Sequence, residues 1–471
     1  MKVPGILPRR GGVEPLMSEK SKLRDIFVVG MALFAMFLGA ANIIFPPYLG
    51  ARAGSSWLIA CAGFTLTGTG LPLLGILATA KAGGQANDIG KRVSPGFGIV
   101  LNTVLLIFIG PLFAIPRTAA TTIELSLLPF LPESLHTPWV RIGGLLIFFV
   151  ICITFVMNPT NALDRVGRFL TPLLVLFLLT LIVISIVSPA GEPVATLQDM
   201  MEKGVLNEGF TTGYQTMDAL ASIVFCTSMY MTLNAKGYVG ATARRMMVPV
   251  SIICGIGTAV VYGGFIWIGA SGSAVLQAYS EHTALTVAAV NLLAGSVGRV
   301  MLALIIFLAC CTTGIGLIFA ASGYFYEMFR GHIRYRAIVV ILTAVSFGLS
   351  IIGVNGMIRL AAPLLEIMYP VVIILIILNL FGSRIKYNYA YYGALLGAVP
   401  AMILNILRMS NATKDFANAG LACLPFGLAG FGAFPLALAG AVIGSLIAWR
   451  LDCRGRLKSR LKVQKESDLP A

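Results

Sequence analysis

The sequence predicts an all-α integral membrane protein of about twelve transmembrane helices, ten of them arranged as two inverted repeats of five. Three observations carry this expectation. Apolar runs of span length recur from end to end, basic residues gather in alternate turns, and two of the spans are interrupted at membrane depth.

The apolar runs come first. The chain is 58% hydrophobic and only 11% charged, with a mean hydropathy of +0.90. Soluble domains place about a quarter of their residues in the charged classes. A bilayer-crossing helix needs roughly 20 apolar residues, and runs of that order cover about 26–50, 55–79, 98–126, 139–157, 166–188, 213–233, 247–271, 298–327, 335–353, 358–380, 389–407 and 425–449. These divide the chain into a disordered N-terminal tail (1–24), five-helix repeats at 25–190 and 191–380, two appended helices (381–450) and a basic tail (451–471). The first run resembles a cleavable signal up to Gly39-Ala40-Ala41, but it continues past that point and eleven more follow, so a retained span is expected. Residues 1–16 are rich in Pro and Gly, which makes Met17 a candidate start.

Charge gives the orientation. Of 34 basic residues, 26 fall in the termini and even-numbered turns and seven in the odd-numbered turns, leaving Arg117 inside a span. That is the positive-inside pattern with both termini cytoplasmic. The net charge of +15 therefore meets anionic lipid head groups rather than nucleic acid. The acidic stretch 189–212 becomes the longest outer connection. A second outer stretch, 272–297, holds an apolar run from Ala284 to Leu293 that is too short to span and reads as a lid or re-entrant helix.

Little supports enzyme chemistry or a bound cofactor. The three histidines (His136, His282, His332) fall in expected turns and are scattered. The eight cysteines make no metal-ligand spacing with them, and seven sit inside or at the edge of spans as structural thiols. Gly83-Gly84 lacks a phosphate-cradling context.

The interruptions carry the function. The first span reads Gly39-Ala40-Ala41-Asn42-Ile43-Ile44-Phe45-Pro46-Pro47, and the sixth Gly213-Tyr214-Gln215-Thr216-Met217-Asp218-Ala219. Glycine lets a chain unwind and proline removes a donor. Freed backbone groups survive in hydrocarbon only against protein or a wet cavity, which is how transporters build sites at the midplane. Two breaks five spans apart imply inverted repeats, because five is odd. Asp218 and Arg117 are charges well within spans, where each costs roughly 2.5–3.5 kcal/mol on insertion scales and usually serves a function.

In register, Asp25-Ile26, the Gly39–Pro47 run, Gly110-Pro111-Leu112-Phe113-Ala114-Ile115-Pro116-Arg117-Thr118-Ala119, Gly213–Asp218 and Tyr369-Pro370 resemble the bacterial branched-chain amino acid carriers, the BrnQ-type cation symporters. The likeness runs from about residue 24 to 380. Ala41 departs from it, standing where glycine is common. The resemblance implies a leucine-transporter-like fold and uptake of leucine, isoleucine and valine at the bacterial inner membrane, coupled to Na⁺ or, in some members, H⁺.

With that resemblance, the half-helix starting near Asn42 would point its dipole and free N–H groups at a substrate carboxylate. Gly39, Ala40, Ala41, Asn42, Ile43, Phe113, Arg117, Thr216, Met217 and Asp218 become the substrate-site candidates. Ile115, Ala221 and Phe225 are further candidates for an apolar wall. Carbonyls at Phe37 and Leu38, the Asn42 amide and the hydroxyls of Thr312 and Thr313 become the Na⁺ candidates, the threonines carried over from the second sodium site of that fold. Plainer readings stand beside these: a packed proline kink, threonines bonded four residues back, and a structural Asp218–Arg117 ion pair. Other neutral amino acids, H⁺ coupling, or a non-transporting sensor or channel on the same scaffold are the alternative functions.

Overall fold

The structure is a computed structural model that describes residues 19–157, 171–408, 410, 412–424 and 432–453. Residues 1–18 of the expected N-terminal tail, with Met17, the turn carrying Arg165 and Arg168, the start of the twelfth run and the tail after Cys453 lie outside the described residues, while residues 19–24, expected as disordered tail, open the first helix.

Every regular element among the described residues is helical, as apolar segments without water to bond their backbones require. The α-helices of six residues or more are, in chain order, α1 (Glu19–Phe37), α2 (Ala40–Ala53), α3 (Trp57–Thr65), α4 (Leu71–Ala82), α5 (Pro95–Ile107), α6 (Ala114–Thr122), α7 (Pro138–Val156), α8 (Thr171–Val187) and α9 (Gln198–Lys203). They continue with α10 (Val205–Tyr214), α11 (Asp218–Ala235), α12 (Gly240–Ser271), α13 (His282–Met328), α14 (Tyr335–Ser350), α15 (Val354–Leu380), α16 (Tyr389–Leu407), α17 (Lys414–Ala422) and α18 (Ala433–Cys453). Among the described residues seven helices are long and apolar enough to cross a membrane, or up to nine if each of two bent pairs is one span. Those pairs are α10 with α11, bent by 41°, and α14 with the start of α15, bent by 104°.

The chain forms two compact units, Met1–Ile89 with Ile99–Leu365 and Gly90–Gly98 with Glu366–Ala471. In the first unit, glycine brings helices into backbone contact. A Cβ at Gly269 of α12 would lie 2.0 Å from the Pro47 carbonyl oxygen, and one at Gly50 of α2 would lie 1.9 Å from that of Ile266. Gly63 of α3 and Gly209 of α10 face the Leu206 and Ala60 carbonyls at 2.3 Å in the same way. In the second unit α16 and α18 meet through Gly393, Gly397, Gly440 and Gly444, where an added Cβ would stand 2.0–2.3 Å from a facing carbonyl.

Three sequence expectations change here. Unwinding in the first span is confined to Leu38–Gly39, and α2 runs helically through Pro46 and Pro47. The expected outer loop 189–212 contains α9 and α10; Gly209 and Gly213 seat α10 against α3 and the Thr67 turn, a packing that the polar Asn207, Glu208, Thr211 and Thr212 hide in hydropathy. His282 is not in a turn. It opens α13, its ring stacked 3.9 Å from that of Tyr48 and edge-on to Phe45 at 5.3 Å. The run from Ala284 continues as helix to a break at Ala294–Gly295.

At the start of α1, Asp25 accepts hydrogen bonds from Lys236 Nζ at 2.8 Å and the Tyr238 hydroxyl at 3.0 Å, tying α1 to the turn after α11. Burial pushes this carboxyl up, but the two donors and the charges of Lys236 and Arg24 outweigh it and hold the carboxyl below its ordinary value.

Gly269→Leu is expected to cost at least the ~1–3 kcal/mol of ordinary overpacking, because the opposing atom is backbone and cannot rotate away; the thermal unfolding midpoint in detergent checks this. The Asp25 contribution is complete above the unfolded carboxylate value of about 3.9 and is lost only as pH falls through the lower folded value. Asp25→Asn should therefore lower the midpoint equally at pH 6 and pH 8, and a difference that changed between those values would assign the effect to another group.

Candidate functional site

The site forms where two helix breaks converge. Between α1 and α2, Leu38 and Gly39 leave the helix, with Gly39 extended at φ −103° and ψ −173°. Between α10 and α11, residues 215–217 turn, and Met217 adopts a left-handed φ of 67° although it carries a side chain. Such backbone is held only where its surroundings over-determine it. The third span breaks as well: Gly110 takes ψ −111° and Phe113 φ −131°, which separates α5 from α6 and brings Arg117 to the sixth-span break.

Side chains from other spans satisfy the freed carbonyls. Arg117 Nη1 donates to the Gln215 carbonyl at 2.9 Å and Nη2 to that of Thr216 at 3.3 Å. Thr313 Oγ1 donates to the carbonyls of Met36 and Leu38, each at 3.2 Å, and Thr312 Oγ1 to those of Ala35 at 3.3 Å and Ala309 at 2.9 Å. The Phe37 carbonyl is taken by the Gly39 N–H at 2.7 Å, so Ala35, Met36 and Leu38 are the carbonyls that face the hydroxyls. The first-span oxygens gathered around Thr313 are all neutral, a donor set suited to a hard monovalent cation.

Asp218 is the buried acid of the site, 4% exposed. It accepts from Asn42 Nδ2 at 2.6 Å and from the Tyr262 hydroxyl at 2.8 Å, while Asn42 also donates to that hydroxyl. The Thr216 hydroxyl sits 3.4 Å from the Asp218 N–H. Where the sequence suggested a pair with Asp218, Arg117 donates to the break carbonyls and lies with its guanidinium 5.7 Å from the Phe45 ring centre. The Asn42 amide, a cation-ligand candidate, is likewise committed to Asp218 and Tyr262.

These elements enclose a cavity of about 30 Å³ lined by Phe37, Gly39, Ala40, Ala41, Asn42, Arg117, Thr216, Met217, Asp218 and Thr313, with Met36, Ile109, Ala221, Phe225 and Leu317 among its apolar walls. At the ~10–15 Å³ that one water needs, it has room for two or three. Five candidates stand apart from its lining, among them Leu38, which turns its carbonyl to Thr313. Ile43 is fully buried on another face of α2, Phe113 is turned by the break onto Phe108 with ring centres 4.6 Å apart, and Ile115 and Thr312 are buried in packing. Tyr262 was missed in the sequence. Its signal was a phenol in the middle of an apolar span, since a buried tyrosine hydroxyl requires a partner. Among the described residues no cluster of His, Cys, Asp and Glu could hold a metal ion.

The family described as "Branched-chain amino acid transport protein" matches residues 22–451. The branched-chain amino acid permease BrnQ of Bacillus subtilis (strain 168) is 34% identical over 439 residues, covering 92% of this chain and 98% of that one. The branched-chain amino acid transport system 3 carrier protein of Pseudomonas aeruginosa is 36% identical over 369 residues, covering 76% and 81%. Among solved structures, MhsT in complex with L-phenylalanine superposes with a TM-score of 0.55 at 16% identity, covering 89% of this chain and 98% of MhsT. The nucleobase-cation-symport transporter Mhp1 gives 0.58 at 13% identity, covering 91% and 93%. At such identities these two likenesses show a shared fold, that of the leucine-transporter-like proteins.

Removing one donor from a buried carboxylate costs about 1–3 kcal/mol. Tyr262→Phe is therefore expected to destabilise the protein by that order, and by clearly less when Asp218 is already Asn. A double-mutant cycle on unfolding free energy measures the difference; equal losses in both backgrounds would mean the phenol stabilises through packing alone.

Proposed function

Because the chain belongs to the branched-chain amino acid transport protein family, we propose that it is a secondary active symporter that imports leucine, isoleucine and valine together with Na⁺ by alternating access. The observation that carries this reading is the convergence of two broken spans on one buried chamber that combines a helix N-terminus, a carboxylate and an apolar wall.

A zwitterion is matched at both ends. The N-terminus of α2 at Ala40, Ala41 and Asn42 presents the positive end of a helix dipole to a carboxylate. Asp218 supplies the opposite charge for an ammonium group, which would displace the Asn42 and Tyr262 donors. Met36, Ile109, Ala221, Phe225 and Leu317 suit a branched aliphatic side chain. Such a wall distinguishes one methylene by only about 1–3 kcal/mol, which fits shared recognition of the three substrates. Na⁺ would sit among the Met36 and Leu38 carbonyls and the Thr313 hydroxyl, replacing the hydrogen bonds now made there.

Ligand pockets usually measure about 300–1,000 Å³, so a chamber of about 30 Å³ is a contracted state. Loading then requires the walls to part, which is the motion alternating access supplies. The two breaks would be the corresponding interruptions of the inverted repeats, and the basic turns would face the cytoplasm of the bacterial inner membrane. Inward Na⁺ movement contributes about 2.3 kcal/mol per 100 mV. Asp218 favours one second reading: a buried carboxylate held by the neutral donors Asn42 and Tyr262 is also a place for a coupled proton.

Leucine uptake into proteoliposomes should fall at least tenfold when external Na⁺ is replaced by choline, and valine and isoleucine should compete. Uptake indifferent to choline but driven by an inward pH gradient would move the coupling to H⁺, and absence of counterflow exchange would remove the transporter reading.

A further inference from the structure

A second cavity, of about 300 Å³, lies in the first unit away from the two breaks. It is bounded by the end of the third span (Ala120, Ile123, Glu124), by α7 (Arg141, Ile142, Leu145) and by the sharp turn between α14 and α15 (Ser350, Ile351, Gly353). Its volume is ten times that of the central chamber, at the lower edge of the usual range for ligand sites.

The polar lining of this cavity is Glu124, Arg141, His136 and Ser350, and the acid and the arginine are not joined. Glu124 Oε1 accepts the Val354 N–H at 3.1 Å, and Thr283 of α13 lies beside this carboxylate. Arg141 shares the lining, close enough to act on Glu124 through its charge, yet no ion pair forms between them. The walls between them are aliphatic: Ile123, Ile142, Leu145 and Ile351. An acid and a base held apart across a partly apolar hollow fit a molecule that carries both complementary charges and a greasy remainder. Trp139 lies two residues from Arg141 and is 80% exposed, the placement of an interfacial aromatic, so the mouth opens at head-group level.

We propose that this cavity is a second binding site, taking a zwitterion whose primary ammonium meets Glu124 and whose acid group meets Arg141. Two sources share that chemistry: a free α-amino acid from the water side and the head group of phosphatidylethanolamine from the bilayer. Glu124 bonds the first residue of α15 and lies beside the start of α13, so an occupant would bear on two helix starts at once. The amino-acid source rests on the transport reading above, and the lipid source does not.

Native mass spectrometry of the purified, delipidated full chain tests this by counting adducts during titration with leucine and, separately, with short-chain phosphatidylethanolamine. One of the two is expected to give an adduct at least tenfold weaker in Arg141→Gln and in Glu124→Gln, and unchanged in Asn42→Ala, which alters only the central chamber. The arm that shows this adduct names the source. Arg141 is exposed, so Arg141→Gln decides if Glu124→Gln does not fold. If neither ligand gives an adduct sensitive to Arg141→Gln, the proposal is overturned. Failure of the transport reading appears instead as lost uptake, which the adduct count does not measure.

Discussion

The structure depends on the satisfaction of backbone carbonyls that have left their helices in an apolar medium. Each unsatisfied group in hydrocarbon costs several kcal/mol, so a broken span cannot exist alone. Here each break is completed by a side chain from a distant part of the chain. Arg117 of α6 closes the carbonyls between α10 and α11, and Thr312 and Thr313 of α13 close those at the end of α1. The groups that hold the breaks open are thus also the groups that define the chamber, so fold and site share the same hydrogen bonds.

The same constraint sets the hydrogen-bond partners of the two intramembrane charges. A guanidinium spreads its donors in a planar fork, which matches two successive carbonyls of a turn. With Arg117 committed to that turn, Asp218 is left to neutral donors, Asn42 and Tyr262, from two other spans. Neutral partners hold a carboxylate in place and still release it to a better one, whereas an ion pair would compete with any incoming cation. The arrangement joins the first, sixth and seventh spans through one oxygen.

Much of this was legible in the sequence, and the gaps have physical causes. Hydropathy gave the helical class, because runs such as 298–327 have no other stable form in lipid. Gly39, Asn42 and Asp218 stood out because glycine, amide and acid are each costly at membrane depth. What hydropathy cannot register is who satisfies whom. That Arg117 serves the Gln215 and Thr216 carbonyls, and that Tyr262 reaches Asp218, depends on helix rotations set by packing. α10 escaped for a related reason, since its polar residues mask a helix seated by glycine against α3. Pro46 and Pro47 misled in the opposite direction: proline weakens an isolated helix, but α2 is packed along nearly its whole length and stays helical through both.

The glycine seam between α16 and α18 has a consequence for biogenesis. Helices inserted in lipid gain nothing from hiding apolar surface from one another, so what draws them together is close contact between flat faces. Gly393 and Gly397 against Gly440 and Gly444 provide such faces within the second unit. These late-emerging helices therefore carry their own docking instruction, and their association can be completed as soon as both have left the translocon.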